Sequence, residues 1–295
     1  HLTEKAGRKF SDEIKSYLTS PHGYDRSTVI LKHIFLFIGN YLGTPYTDEE
    51  NAIFKRFANV FDQSYRRFLD LQKAEAQAKE AQIQLALERI RARTMAMHQS
   101  EELSEVIGVV MEKLQELGMA MENRSAIIFV SLPGHRVMSQ WVASKLRHVP
   151  TGFRTPYYEN PILADYWEAV ENGIEFYEKS YSKEAKNSLF NYFFNDLGFE
   201  MPAKSRELII QAPHYSLAAA IEKNSSIGLA SHSEGKLTNE ETDLLKRFAR
   251  VFEQAYIRFL DLQKAEAQAR EAQIEAGLER VRARTMAMHT SEDVS

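Results

Sequence analysis

Two histidines at equivalent positions of a repeated stretch are the first candidates for chemistry. His98 and His289 each stand at the end of a long helical pattern, where a phosphoryl-accepting histidine could lie. A phosphoacceptor motif has an acidic residue directly after the histidine and a proline a few residues later. Here His98 is followed by Gln99 and Ser100. A histidine is favourable at a helix C-terminus because of the helix dipole, so we expect no phosphotransfer at either position.

Other motifs that carry chemistry are absent from the sequence. It contains no G-x-G-x-x-G, no P-loop, no H-E-x-x-H and no G-x-S-x-G. Four histidines lie at loop or strand ends without the spacing of metal ligands, namely His135, His148, His214 and His232. The chain has no cysteine, which excludes disulfides, thiolate sites and a thiol-linked chromophore. We therefore expect a chain that is not an enzyme and holds no metal and no cofactor.

Aromatic side chains are the remaining candidates for a binding site. Tyrosine and tryptophan combine an apolar body with a polar tip that needs a partner, which suits a cavity for a small molecule. The same residue types also build ordinary cores, and both interpretations stay open at this point. The candidate ligand-binding residues are Trp141, Tyr157, Tyr158, Trp167, Tyr181 and His214.

Composition narrows the function classes further. The 295 residues are 44% hydrophobic and 26% charged, with a net charge of −4 and a pI near 6.2. Nucleic-acid binding calls for a clustered basic face, which this balance argues against. No apolar run approaches the roughly 20 residues that cross a bilayer. The chain begins at His1 without a signal peptide, so we expect a cytoplasmic piece of a longer protein.

An internal repeat organises the whole chain. About four-fifths of the positions in Phe57 to His98 recur in Phe248 to His289, at a constant offset of 191 residues. Such a long repeat contains a whole domain plus a connector. Only the second unit is complete, and residues 1–70 correspond to the last part of a preceding unit. We expect its apolar hairpin, Thr28 to Ile38, to be covered by helices or by another copy, since a lone hairpin is marginal.

The complete unit mixes helices and strands. Glycine, proline and capping residues predict helices at 101–117, 161–172 and 183–197, with Asn160 and Ser182 as N-caps. Strands are expected at 125–132, 137–143, 174–178, 207–211, 217–222 and 227–231. Short links between neighbouring strands indicate a largely antiparallel sheet and an α+β class. Thr238 and Glu241 have the spacing of a capping box at the start of the last helix.

The connectors carry a coiled-coil pattern. From Thr47 to Met97 there is no proline or glycine, and strong helix formers dominate. Apolar residues recur there at spacings of four and three, which is typical of a seam between helices. Because no partner within the chain is evident, we expect a parallel homodimer along this seam. Its residues are Ile83, Leu87, Ile90, Thr94 and Met97, with Ile274, Leu278, Val281, Thr285 and Met288 in the second copy.

The run Leu87 to Met97, repeated as Leu278 to Met288, resembles the linker that joins GAF-like domains in bacterial sensor histidine kinases. The order of elements between the connectors is similar to that of the GAF family of sensory domains. This resemblance implies a six-stranded antiparallel sheet flanked by helices, parallel dimers and signal transmission through the connecting helices. The cyclic-nucleotide signature of the family is not found around Lys223 and Asn224 or Asp243, and bilin-binding members need a cysteine.

The expected organisation is therefore a set of tandem GAF-like units on long coiled-coil helices. Residues 1–70 are the end of a truncated domain, 71–99 a connecting signalling helix, 100–262 a complete domain, and 263–295 a second connector with the start of the next unit. The expected function is non-catalytic: sensing a small ligand or a conformational input and transmitting it to an output kinase of a two-component system. The alternative is a ligand-free scaffold for dimerisation and transmission.

Overall fold

A computed structural model describes residues 11–19, 23–119, 124–131, 136–144, 147–232 and 235–286. The chain forms two compact units, His1–Gln82 and Ile83–Ser295, which we call the first and second unit. His135 of the predicted turn, Met288 of the predicted seam and His289 lie outside the described residues.

The first unit consists of a hairpin and helices. It contains α1 (Asp12–Leu18), the antiparallel strands β1 (Asp25–Ile30) and β2 (Phe35–Asn40), and the beginning of α2 (Asp48–Met95). Thr47 starts α2 with a capping box, in which its amide donates to the Glu50 carboxylate at 2.8 Å and its hydroxyl accepts from the Glu50 amide at 3.2 Å. The antiparallel pairing of β1 with β2 confirms the predicted hairpin.

Helix α2 covers the hairpin only in part: the Ser27 hydroxyl donates to the Asn51 side chain, and Phe54 and Ala58 of the helix are buried, but apolar residues of both strands stay exposed. Ile30 is 73% exposed and Phe35 is 55% exposed. On the helix, Phe57 is 69% exposed, whereas its repeat equivalent Phe248 is fully buried in the second unit. The same residue types therefore occupy a core in one copy of the repeat and a surface in the other.

The second unit is built on a six-stranded antiparallel sheet of order β5-β4-β3-β8-β7-β6, which confirms the α+β class and the strand number. A 3₁₀ turn at Ser100–Glu102 follows the end of α2. The remaining elements are α3 (Leu103–Glu116), β3 (Arg124–Ser131), β4 (Val137–Ser144), β5 (Arg147–Pro156), α4 (Pro161–Glu171), β6 (Phe176–Tyr181), α5 (Lys183–Asn195), α6 (Ala203–Gln211), β7 (Tyr215–Ile221), β8 (Ser225–Ser231) and α7 (Asn239–Met286).

Two strand assignments differ from the sequence prediction. The predicted strand 207–211 is the second half of helix α6, which begins after Pro202 and is rich in helix formers. The sixth strand is β5, which the sequence pattern did not predict. It contains two prolines and a glycine, and it lies at the edge of the sheet, where a missing backbone N–H is tolerated.

Helices cover both faces of this sheet. In β3 alternate residues point to opposite sides, with Ala126, Ile128 and Val130 in one core and Ile127 and Phe129 in the other. The first core, which we call the connector-side core, includes residues of α2, α3 and α7. The second, the outer core, includes residues of α4 and α5.

The first copy of the predicted dimer seam belongs to the connector-side core. Leu87 is 3% exposed, and Ile90 and Met97 are fully buried. They pack in one cluster with residues of α3 and α7. Ile83 and Thr94 are also buried, and the Thr94 hydroxyl donates to the Ile90 carbonyl at 2.8 Å. The expectation that this face has no partner within the chain is therefore wrong.

The beginning of the complete domain shifts accordingly. We expected it at residue 100, with 71–99 as a separate connector. Since residues 83–97 contribute to the core, and the division between the units falls between Gln82 and Ile83, the second half of α2 is part of the domain.

A matched pair of substitutions checks this placement. Leu87→Ala removes a buried side chain and should lower the free energy of unfolding of the second unit by about 2–5 kcal/mol. Leu278→Ala, its repeat equivalent, removes a side chain that is 45% exposed and should cost less than about 0.5 kcal/mol. Urea unfolding of the full chain measures both. Equal losses would show that the two copies have the same surroundings.

Candidate functional site

An apolar cavity lies between the sheet and the outer helices of the second unit. Its volume is about 70 Å³. Strands β3, β4, β5, β7 and β8 supply one wall, and helices α4, α5 and α6 supply the other. The residues that line it include Gln140, Phe153, Tyr166, Phe190, Phe193, Tyr215, Ala230 and His232.

Two N-caps position the helices that cover the cavity. The Asn160 side chain accepts a hydrogen bond from the Ile162 amide, and its own amide group donates to the Ala185 carbonyl at 2.9 Å. The Ser182 hydroxyl accepts from the Ala185 amide at 3.2 Å. Both caps were predicted from sequence and are confirmed. Because Asn160 contacts the start of α5 as well, it ties the two helices together.

A buried lysine holds the third helix. Lys186 is fully buried, and its ammonium group donates to the backbone carbonyls of Ile209, Ile210 and Ala212 at the end of α6. The last carbonyls of a helix lack partners within the helix and carry partial negative charge. Lys186 satisfies them, and burial together with the charge of Lys183 lowers its pKa.

Few polar groups reach the cavity. The Gln140 amide donates to the Thr155 hydroxyl, and the Tyr166 hydroxyl pairs with that of Ser226 at 2.8 Å. Burial raises the pKa of Tyr166 to about 12, so its phenol stays neutral. The His232 ring contacts the rings of Phe190 and Tyr215. Its Nδ1 is buried and has no hydrogen-bond partner among the residues that the structure describes.

His232 is the unusual titratable group of the site. Burial and, as the smaller cause, the nearby Lys186 charge lower its pKa from 6.5 to about 4. A buried neutral imidazole with a free ring nitrogen can bind one polar group of a ligand. The cavity can therefore hold a small, uncharged, largely apolar molecule with one hydrogen-bonding group.

None of the six predicted ligand-binding residues lines this cavity. Trp141 packs against the connector-side core, and its indole lies over Gly152, where a Cβ atom would come within 2.6 Å of the indole nitrogen. Tyr157 is 40% exposed and packs under the Arg136 guanidinium, 5.3 Å from the ring centroid. His214 is exposed.

The other three predicted residues belong to the outer core. Tyr158 stacks on Tyr192 with ring centroids 4.3 Å apart. Trp167 is 4% exposed and contacts the Tyr166 ring edge-to-face. Tyr181 is 9% exposed, and burial raises its pKa. The ordinary interpretation of these rings as core therefore describes them better than the ligand interpretation.

The residues that line the cavity can be recognised by strand periodicity but not by aromatic content. On β8, the side that faces the outer helices holds Ser226 and Ala230, and the same period of two leads to His232. On β4, Met138 and Gln140 follow the same rule. Strand periodicity, applied to the polar residues, would have selected Gln140 and His232.

The strand that borders the cavity also binds the last helix. The buried Glu253 carboxylate of α7 accepts hydrogen bonds from the Asn224 amide at 3.1 Å, from its side-chain nitrogen at 2.6 Å and from the Ser225 hydroxyl at 2.6 Å. Ser226, the next residue of β8, bonds Tyr166 on the opposite face. Strand β8 is therefore fixed to α4 on one side and to α7 on the other.

The start of α7 is fixed as well. The predicted capping box is confirmed: the Thr238 amide donates to Glu241 at 2.8 Å, and the Glu241 amide donates to the Thr238 hydroxyl at 3.2 Å. Arg124 of β3 pairs with the same Glu241 carboxylate. The first turn of the helix is thus bound to the central part of the sheet.

The described residues contain neither a cluster of metal ligands nor a membrane-spanning helix. Across the described ranges, no group of three or more histidine, aspartate or glutamate side chains could hold a metal ion. No helix within those ranges has the length and hydropathy needed to cross a bilayer.

The chain is similar in structure to a known sensory domain, but it matches no family model and no curated protein. Among solved structures, the chain is similar to the phycoerythrobilin-bound GAF domain from a cyanobacterial phytochrome, with 12% sequence identity and a TM-score of 0.35. The match covers 59% of this chain and 96% of that chain. Both measures are low, and the similarity adds nothing to what the contacts of this chain establish.

The depressed pKa of His232 predicts a dependence of stability on pH. The folded-state pKa of about 4 lies below the ordinary value of 6.5, so protonation favours the unfolded state. Stability from this group is complete above pH 6.5 and is lost as the pH falls toward 4. Between pH 7.5 and 5 the chain should lose about 2 kcal/mol more than a His232→Gln variant. Urea unfolding at both pH values measures this, and parallel losses would place the imidazole in water.

Proposed function

We propose that the second unit is a GAF-like sensory domain in a regulatory segment of a multidomain signalling protein. It binds a small ligand and passes the resulting change through its helices to an output kinase of a two-component system. The segment acts in the cytoplasm and performs no catalysis itself. The order of elements, the six-stranded sheet and the repeated linker support this proposal.

One observation carries the proposal: the cavity and the last helix share strand β8. Ala230 lies in the cavity wall, while Ser225, on the same strand, bonds Glu253 of α7. A ligand that moves β8 must therefore move the Glu253 contact. A ligand can shift an equilibrium only by its differential affinity for two states. Here the two states are two positions of β8, and each would place the Glu253 contact differently.

The cavity limits the ligand class. At about 70 Å³, it is roughly half the size of an engineered apolar cavity of about 150 Å³ that binds benzene. A small neutral molecule fits with a modest outward movement of the helices. A charged ligand does not, because Lys186 is already satisfied by carbonyls and none of the described residues that line the cavity carries a carboxylate.

The same small volume favours a second candidate function. An outer core whose tyrosines and phenylalanines already contact one another can serve as a rigid structural layer without a ligand. In that case the unit is a ligand-free scaffold that transmits a conformational input. Ligand binding distinguishes the two functions.

The parallel homodimer stays a prediction. A dimer would need faces of the connector helices other than the one formed by Ile83, Leu87 and Ile90, because that face is in the core of the second unit.

A binding experiment tests the sensory proposal. Phenol has one ring and one hydroxyl that can reach the free nitrogen of His232. At ten times its dissociation constant it should stabilise the full chain by about 1.4 kcal/mol, seen as a rise in melting temperature. Ala230→Leu places a larger side chain in the cavity and should remove the shift.

Leu208→Ala is the matched control for that experiment, since Leu208 lies on α6 and is 58% exposed. It should leave the phenol shift unchanged. If phenol, benzene and pyrrole all fail to stabilise a folded chain, the ligand-free scaffold is the better description.

Insertions in α7 test transmission in the intact signalling protein. Two residues inserted after Ala269, an exposed position, rotate the following helix by about 200°, whereas seven residues restore its phase to within about 20°. We expect the two-residue insertion to change kinase output strongly and the seven-residue insertion to change it little. Equal output from both would make the helix a simple tether.

A further inference from the structure

The second connector presents an apolar face that the described residues leave uncovered. Ile274 is 47% exposed, Leu278 is 45% exposed and Val281 is 64% exposed. With Thr285 they lie at spacings of four, three and four along α7, so they share one side of the helix. We call these four residues the α7 face.

The first copy of the repeat shows what covers such a face. Its equivalents are Ile83, Leu87, Ile90 and Thr94, all of which are buried. They pack with Val106, Ile107 and Val110 of α3, the helix that follows the connector, and with residues in the first half of α7. In the first copy, the end of one long helix is therefore the first helix of the next domain.

Polar contacts fix the first copy in this position. Arg93 pairs with Glu102 and Glu105 just after the helix end. The Ser100 hydroxyl donates to Glu266 at 2.8 Å, and Arg258 donates to the Met97 carbonyl at 3.0 Å. Together these contacts close the turn between α2 and α3 against α7.

The second copy retains the residue types for these contacts. Arg284 corresponds to Arg93, Asp293 to Glu102 and Ser291 to Ser100. The stretch from His289 to Ser295 follows the pattern of His98 to Ser104, with a histidine, a serine, two acidic residues, a branched apolar residue and a serine. The repeat continues beyond the connector in both apolar pattern and charge.

We propose that the α7 face is the docking surface for an α3-type helix of a following repeat unit. The occupant is apolar at the positions of Val106, Ile107 and Val110, and its first turn is acidic to pair with Arg284. Each long helix then belongs to two domains: its first half closes one sheet, and its second half opens the core of the next.

A second copy of the chain fits this face less well. A stable coiled coil needs about three to four heptads of seam, whereas Ile274 to Met288 spans about two. The nearly identical first copy packs against one helix on each side rather than against itself. The α7 face is therefore a piece of a domain core.

The test extends the full chain by a copy of its own residues 105–286 after Ser295, which continues the repeat in register. Hydrogen exchange is followed at the amides of residues 274–285. In the 295-residue chain they should exchange as a solvated helix. In the extended chain they should exchange at least about tenfold more slowly, while light scattering gives the extended chain the same number of subunits as the 295-residue chain.

Two variants of the extended chain complete the experiment. Leu278→Asp should abolish the slower exchange and the cooperative unfolding of the appended unit, while the unit at 83–262 unfolds as before. Ala276→Asp is the control, because its equivalent Leu85 is 71% exposed in the first copy; it should leave both signals unchanged.

Three outcomes would overturn the proposal. Protection of 274–285 already in the 295-residue chain, together with a dimer, would make the face a dimer seam. Fast exchange in the extended chain, with the appended unit folded, would make it a solvated tether. Equal effects of Leu278→Asp and Ala276→Asp would show that the α7 face has no special role.

Discussion

The fold depends on the need to cover both faces of a six-stranded sheet. Strands β3 and β8 are apolar on both sides, so each face must be buried by a helical layer. The outer layer consists of helices that begin and end within the domain. Among the described residues, the connector-side layer contains one such helix, α3, and takes the rest of its apolar surface from the two long helices. Without the ends of these long helices, half of the sheet would face water.

This constraint explains why the polar ties lie where they do. Buried carboxylates are costly unless they are fully hydrogen-bonded. Glu253 meets this condition through Asn224 and Ser225, and Lys186 meets it on the opposite side through the carbonyls of α6. The first tie joins strand β8 to the first half of α7, and the second joins α5 to the end of α6. The layers are therefore held in register by specific hydrogen bonds as well as by apolar contact. These hydrogen bonds would break if one layer slid over the other.

Much of this architecture could be predicted from local patterns. The caps at Asn160, Ser182 and Thr238 were identified because their chemistry is contained within three or four residues. The strand β5 was missed, because an edge strand tolerates the prolines that usually end strands, and 207–211 was assigned to a strand because a short apolar run fits either structure. The cavity was not predictable from aromatic content: Trp167 and Tyr181 are core, whereas Gln140 and His232 line one cavity only when β4 and β8 join the same sheet. The seam was recognised correctly as apolar, but a single helix pattern does not identify its partner.

The near-identity of the two connectors creates a competition during folding. The segment around Leu278 carries almost the same apolar face as the segment around Leu87 and could enter the same core in its place. Two of the core positions differ, and both are smaller in the second copy: Ala86 is replaced by Gly277 and Ile90 by Val281. Loss of a buried methyl group costs about 1 kcal/mol at each position. The segment around Leu278 is thus about 2 kcal/mol less favourable in that core than the segment around Leu87, which corresponds to roughly a thirtyfold preference. The small sequence differences between the repeats therefore favour the packing of each helix in its own domain.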